Sequence, residues 1–371
     1  MKGNANWSTT RRLRAALSAA VVVCAVTAVL PAAASAEPTA RAGLTGTRAA
    51  WDGVERISVA ADGTQGGDDS ADASITPDGY HVIFSSSATN LTPDQTTGGA
   101  KVFVRDQQTR QTKRIGYLTT LEPPVISGDG QYAAYPVKWM TDVRIRQYQV
   151  GTGRTASANC IYSCDQPALN ADGRSLALAV LIGRPSSSQR IEVQDQNGTT
   201  VTVATLDHTQ PSRPSISGDG RTVAYQDGQA GEVFVWDRTS GTTSDPIEGP
   251  QGATLVQLSD DGTKVVYLSG TDTYVHDVPS NTDQLVPNAR GVAIDPTGRY
   301  LLYAPKDTTG ASLVLRDLRT DTDRTVSDQP ASAGVHAVSA DGRDVVFQST
   351  AGAIVPGDAN GKSQVFVRHF G

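Results

Sequence analysis

Charge is scarce in this 371-residue sequence. Asp, Glu, Lys and Arg together make up 19% of it, which is poor material for the polar faces of long amphipathic helices. Positive charge is the scarcer sign, and the formal net charge is −6. That balance lacks the electrostatic footprint of a nucleic-acid binder or of a protein held on an anionic membrane. No Gly-x-Ser-x-Gly elbow occurs, and no phosphate-cradling glycine loop opens a helix. The histidines number five, at His81, His208, His276, His336 and His369, and no two stand at the spacing of a metal site or a triad. What the chain has in quantity is Gly (36) and Pro (19) against 38% hydrophobic residues, a mix that suits many short strands joined by turns.

The one long apolar run lies near the start. Arg11, Arg12 and Arg14 precede Ala15 to Leu30, and Ala34-Ser35-Ala36 follows. This is the order of a secretory signal peptide, so residues 1–36 are read as a leader cleaved between Ala36 and Glu37. A retained membrane anchor is the alternative, but the run is shorter than the ~20 residues a spanning helix prefers. Arg14 stands where a twin-arginine motif wants a large apolar residue, and Val21-Val22-Val23 before Cys24 lacks the small residues of a lipobox. Removing the leader takes away Lys2 and the three arginines, leaving a mature chain of −10 with no further membrane span. Secretion to the extracellular or cell-envelope side is expected. Two cysteines then remain, Cys160 and Cys164, and in an oxidising compartment they most simply pair with each other.

Residues 37–53 carry no hydrophobic period and read as a flexible lead-in. From there to the end one short phrase recurs: a small or polar residue, then Asp-Gly, then alternating apolar residues. It occurs at Ser74 to Gly79, Ser127 to Gly130, Asn170 to Gly173, Ser217 to Gly220, Ser259 to Gly262, Asp295 to Gly298 (a variant ending Thr-Gly) and Ser339 to Gly342. Seven copies at this spacing signal repeat architecture. Asp-Gly predicts a two-residue type I′ hairpin, which needs positive φ at both central residues. A later strand ends in Asp in five of the repeats, as in Val102 to Asp106, Val233 to Asp237 and Leu313 to Asp317, with Gln149 in that place in the second and His369 in the seventh; the carboxylate is expected to cap the turn that follows.

Each repeat is thus a four-stranded meander of propeller-blade size. The seventh stops after its third strand, while Val54 to Ala60 is left without a partner at the other end. Pairing it beside Gln364 to Phe370 would complete the last blade and remove two exposed edges. The expectation is an all-β, seven-bladed propeller over residues 54–371, closed by its N-terminal strand.

These repeats resemble the WD40-like repeats of the TolB-like β-propeller family of bacterial exported proteins. Ser217 to Tyr225 (SerGlyAspGlyArgThrValAlaTyr) and Thr76 to Phe84 (ThrProAspGlyTyrHisValIlePhe) carry the likeness. It implies the fold and an exported location, and nothing about activity, because the motif residues belong to turns and core. The family's namesake has an α/β domain ahead of a propeller with fewer blades, and neither feature is matched here, so its role is not carried over.

Candidates for chemistry are sparse. Asp358 and Asn360 open a loop like that of an EF-hand but lack further acidic ligands, and Lys362 follows; they are weak calcium candidates, with solvated Asx turns as the alternative. The loop at Asp94 and the acidic stretch Asp62, Asp68, Asp69 and Asp72 are weaker ones. His336 falls on the expected innermost strand of the last blade, as a channel-wall residue. No cofactor is otherwise called for. The reading is of an exported, monomeric, non-catalytic scaffold that binds a protein or cell-envelope partner through its loop faces or channel mouth, the loops near Asp94, Arg184, Cys160 and Asp358 being the places to look. The alternative is a carbohydrate-active lyase or hydrolase at that mouth, so the question of enzyme or not stays open.

Overall fold

The computed structural model describes residues 52–94, 99–183, 188–205, 210–307, 312–358 and 360–371, and the expected leader, its expected cleavage site at Ala36 and Glu37, most of the expected lead-in, His208 and Arg184 lie outside these. Described residues fold into seven antiparallel blades, and their only helix is a single 3-10 turn, Ala340–Gly342. Blade 1 runs Ser70–Ile75, His81–Ser86, Lys101–Asp106 and Gln111–Ile115, in that spatial order from the axis outwards. Blades 2 to 6 repeat the plan, with the outer strand of blade 4 split into Thr242–Thr243 and Ile247–Glu248.

The last blade is closed as expected. Gly53–Arg56 pairs antiparallel with Gln364–His369, in the register Gly53 to His369 and Arg56 to Phe366, and Ile57 N–H continues the ladder to Val365 O. Its inner strand differs from expectation. Two isolated bridges, Ser332 to Gln348 and Val338 to Val345, stand where a full strand was expected, with His336 between them at a positive φ of 56°.

Apolar faces meet between blades. Phe84 stacks on Phe103, Tyr225 on Phe234, Tyr267 on Tyr274 and Phe347 on Phe366, each pair directly opposite across the second and third strands of one blade. Such pairs add about 0.5–1.5 kcal/mol beyond the area they bury. The largest apolar cluster joins blades 6, 7 and 1, so the seam where the chain's two ends meet is as well packed as the others.

The Asp-Gly turns are not type I′. Among the motif aspartates only Asp341 has positive φ (60°); at the others the glycine alone does, as Gly79 at 76° and Gly130 at 70°. A longer loop wins because the residue opening the motif acts as a clasp. Its side-chain oxygen accepts the backbone N–H five residues on: Thr76 from His81, Ser127 from Tyr132, Asn170 from Ser175, Ser217 from Thr222, Ser259 from Lys264, Asp295 from Tyr300 and Ser339 from Asp344, at 2.7–3.0 Å. Where it is Ser or Thr in blades 1, 2, 4 and 5, its hydroxyl also donates to the motif carboxylate (Asp78, Asp129, Asp219, Asp261), which in turn accepts an N–H two residues on. The Asp at the end of the third strand does cap the following turn, as Asp106 and Asp237 show.

Ser217→Ala is expected to leave the Thr222 N–H unpaired inside the fold and to lower stability by about 1–3 kcal/mol, read by urea or thermal unfolding. Arg368→Ala, on an ion pair with the exposed Asp52, should cost well under 1 kcal/mol in the same assay.

Candidate functional site

The clasped loops also determine what the axis can do. The residue after the clasp faces the axis, and main-chain bonds tie neighbouring loops there: Asp129 N–H to Ala171 O, Ala171 N–H to Gly218 O, Gly218 N–H to Asp260 O, Asp261 N–H to Pro296 O and Ala340 N–H to Pro77 O, at 2.7–3.1 Å. Blades 1 and 6 have Pro77 and Pro296 at this place, which carry no N–H to give. Crowding accounts for the glycines: a Cβ on Gly128 would stand 3.1 Å from Ala171 Cα. These loops form a collar round one end of the axis. Just inside it lies a cavity of about 20 Å³, room for one water, lined by Ile126, Gln257, Asp260, Ile294 and His336 among others.

His336 is indeed a hydrogen-bonded wall residue. Its N–H donates to Gln257 Oε1, its Nδ1 lies 3.2 Å from Gln257 Nε2, and Gln257 also donates to Ile294 O. Burial pushes His336 down and Asp260 up, each toward its neutral form, against their mutual attraction.

Towards the other mouth the inner strands of blades 1, 3 and 4 bulge, with Asp72, Gln166 and Arg213 at positive φ. A neighbouring side chain captures each freed N–H: Gln348 for Asp72, Glu122 for Gln166, Gln166 for Arg213. Asp165 sits beside this mouth, and burial, with the Glu122 carboxylate second, pushes its pKa up to about 6.

The calcium candidates are both engaged by the closure. Asp358 Oδ1 accepts from Gln65 Nε2 at 2.7 Å and Oδ2 faces the Arg56 guanidinium at 3.6 Å, while Asn360 Nδ2 donates to Gly66 O. Asp68 pairs with Lys362, Asp62 accepts from Thr64 N–H, and Asp69 accepts from Ser363 N–H. Among the described residues no three His, Cys, Asp or Glu side chains gather as a metal site would need. Cys160 and Cys164 are joined, with Cα atoms 5.8 Å apart.

The irregular feature of the molecule is the flank of blade 2. Its Tyr132–Trp139 and Asp142–Gln149 strands are eight residues long, yet its outer strand Thr155–Ser157 covers only Arg146 to Tyr148. The hairpin end of the blade, Asp142 to Arg144, is left without a paired outer strand, and the surface on either side of Trp139 and Arg146 is open. One hollow of about 510 Å³ is lined by Asp94, Arg114, Tyr117, Trp139, Arg146 and Tyr148, and an adjoining one of about 420 Å³ by Trp139, Arg144, Arg146, Asn159 and Cys160. Both lie in the size range of ligand clefts.

Local structure builds these walls. Gly116, at φ 78°, lets Tyr135 lie across it; a Cβ there would sit 2.0 Å from the Tyr135 hydroxyl. Arg114 pairs with Asp94 at 2.6 Å and lies over the Tyr117 ring at 4.5 Å. On the far side Gln194 of blade 3 bonds both ways to Asn159, and Arg144 donates to Cys160 O, so the disulfide loop is held as a wall. Exposure is concentrated here. Seven large apolar side chains are exposed among the described residues, and five of them, Tyr117, Leu121, Trp139, Met140 and Ile161, belong to blade 2 or its two connections. Met140 tops the hairpin at φ 56°, where the matching hairpin of blade 5 has Gly270 at 59°.

Asp94 and Cys160, expected as recognition loops, do meet in this region; Asp358 does not. Sequence reading missed Tyr117, Trp139, Met140 and Arg146. One signal was available: Trp-Met at a hairpin tip, in a chain with four Trp and two Met.

Comparisons with known proteins agree with the fold. A family model described as the lipoprotein LpqB β-propeller domain (Gmad1) matches residues 154–295. No curated protein matches the chain. Among solved structures it is similar to an oligogalacturonate lyase in complex with manganese, at TM-score 0.62 and 13% identity over 87% of this chain and 94% of that one. It is also similar to the oligogalacturonate lyase of Vibrio parahaemolyticus (0.58, 12%, over 80% and 88%) and to the Cps50 (Swd1) β-propeller domain of Myceliophteria thermophila (0.53, 9%, over 81% and 96%). At these identities the likeness is one of fold.

Asp165→Asn is expected to stabilise the protein. An Asp whose folded pKa lies above its unfolded one loses stability as pH rises from about 4 to about 6, and the amide removes that loss. After discounting for its partial exposure, the gain at pH 7 is about 1–2 kcal/mol and vanishes below pH 4, read as melting temperature against pH.

Proposed function

We propose that the protein is an exported, non-catalytic propeller scaffold that docks a cell-envelope or protein partner on the flank of blade 2. The observation that carries this reading is the gathering of five exposed large apolar side chains on one blade of seven. Met140 adds to it. An L-residue at left-handed φ is disfavoured by about 1–2 kcal/mol, and Gly at the matching tip of blade 5 avoids that. A bulky apolar tip kept at a cost to stability fits a binding role better than a folding one. Export rests on the leader at residues 1–36. An envelope setting is supported by the lipoprotein propeller family that matches residues 154–295, and no helix among the described residues is long and apolar enough to cross a membrane. The repeat motif places the chain, on this reading, beside exported TolB-like propellers.

A second reading has its own observation. Glu122 and Asp165 bring two carboxylates to the open mouth, one held partly protonated near pH 6, as an acid–base pair in a polysaccharide lyase or hydrolase would require. Solved propellers of similar fold include oligogalacturonate lyases.

Met140→Gly separates stability from binding. It should raise stability by up to about 1 kcal/mol, since relief of strain exceeds the added chain entropy of glycine. Cross-linking on intact cells should meanwhile recover several-fold less partner than the wild type does. Unchanged recovery from both Met140→Gly and Trp139→Ala would move docking elsewhere, and steady turnover of a polysaccharide, abolished by Asp165→Asn, would establish the enzyme reading instead.

A further inference from the structure

Resting on the docking role of blade 2, we propose that its groove takes an anionic glycan, a sugar chain bearing carboxylates. Three features converge. The first is aromatic surface: Trp139 is 52% and Tyr117 77% exposed, far beyond what core aromatics show here, and both line the same hollow. Flat, exposed rings with one wet edge suit the C–H faces of pyranose rings as well as they suit protein side chains. The second is an unspent positive charge. Among the described residues no carboxylate lies within 4 Å of the Arg146 guanidinium; it donates to Ser157 Oγ at 2.8 Å and lies 5.9 Å from the Trp139 ring. Arg114, Arg299 and Arg316, by contrast, each have a carboxylate within 3 Å. A half-buried guanidinium without an anion is the natural partner for a carboxylate, which it can take in a two-toothed grip.

The third feature is shape. Trp139 and Arg146 form the divide between two adjoining hollows, so a ligand lying across them is extended and passes the cation midway. Arg144 lines the second hollow, where it donates to Cys160 O and lies 3.6 Å from the Asp142 carboxylate. Polar rims are present too, from Thr155, Ser157 and Asn159, to meet hydroxyls. A chain of sugars with a carboxylate at intervals fits this sequence of platform, cation, platform. A neutral glycan would leave Arg146 desolvated without a counter-charge, and the net negative charge of the mature chain makes a local cationic site the more pointed.

Polygalacturonate and alginate, with dextran as the neutral control, are the probes for affinity electrophoresis and calorimetry on the mature exported chain. Binding of an acidic polymer but not of dextran is expected, weakened at least tenfold by Arg146→Ala and by Trp139→Ala, partly restored in Arg146→Lys, and weakened by salt. Both positions reach the surface, Arg146 partly and Trp139 largely, and unchanged melting curves control for folding. Equal binding of dextran, no binding of either acidic polymer, or indifference to both substitutions would overturn the inference. If the flank instead captures a protein partner that Trp139→Ala releases while no glycan binds, the docking role stands and the glycan does not.

Discussion

Seven blades make a stable ring only if the first and the last are held together, and here that tie is antiparallel pairing between residues separated by nearly the whole chain. Val54 opposite Arg368 and Glu55 opposite Val367 give the last blade its outer strand and tie the two ends of the propeller together. Around this ladder lies a web of side chains. Ser58 donates to Gln364, Gln65 to Asp358, and Asn360 and Gln364 both reach Gly66 O. Arg56 and Asp358 face each other where both are largely buried, so each compensates a charge that would otherwise be costly to desolvate. Closure thus absorbs residues that, read along the sequence, look like a cation loop.

A second constraint acts at the axis. The same hydroxyl or carboxylate that clasps each turn sets the next residue towards its neighbour, and five main-chain bonds draw the loops together. The interior left behind holds about one water, and two of its polar groups, Gln257 and His336, are bonded to each other and to main chain. The regular part of the protein is spent on holding itself.

On the proposed docking role, recognition is left to departures from the repeat. Blade 2 departs most: longer second and third strands, a shortened outer one, a methionine where a glycine would relax the turn, and a disulfide loop anchored by Gln194. Each departure exposes surface that the other blades cover. Groups free to act on a ligand, Trp139 and Arg146 foremost, are found here.

The repeat count, the all-β class, the closing strand and the Cys160–Cys164 pair were legible in the sequence because each depends on local chemistry or on simple pairing: a glycine that can take positive φ, alternation of apolar residues, a strand left over at each end. Even there, the turn type was misjudged, since the Ser, Thr, Asn or Asp that opens the motif captures an N–H five residues away and makes a larger loop more favourable than type I′. Tertiary structure alone decided the rest. That Pro77 would meet Ala340, that Gln257 would reach past blade 6 to His336, and that Arg56 would face Asp358 depends on blades far apart in sequence. So does the groove. Tyr117, Trp139, Arg146 and Cys160 are ordinary residues one by one, and they line adjoining hollows because a three-residue outer strand fails to cover an eight-residue neighbour.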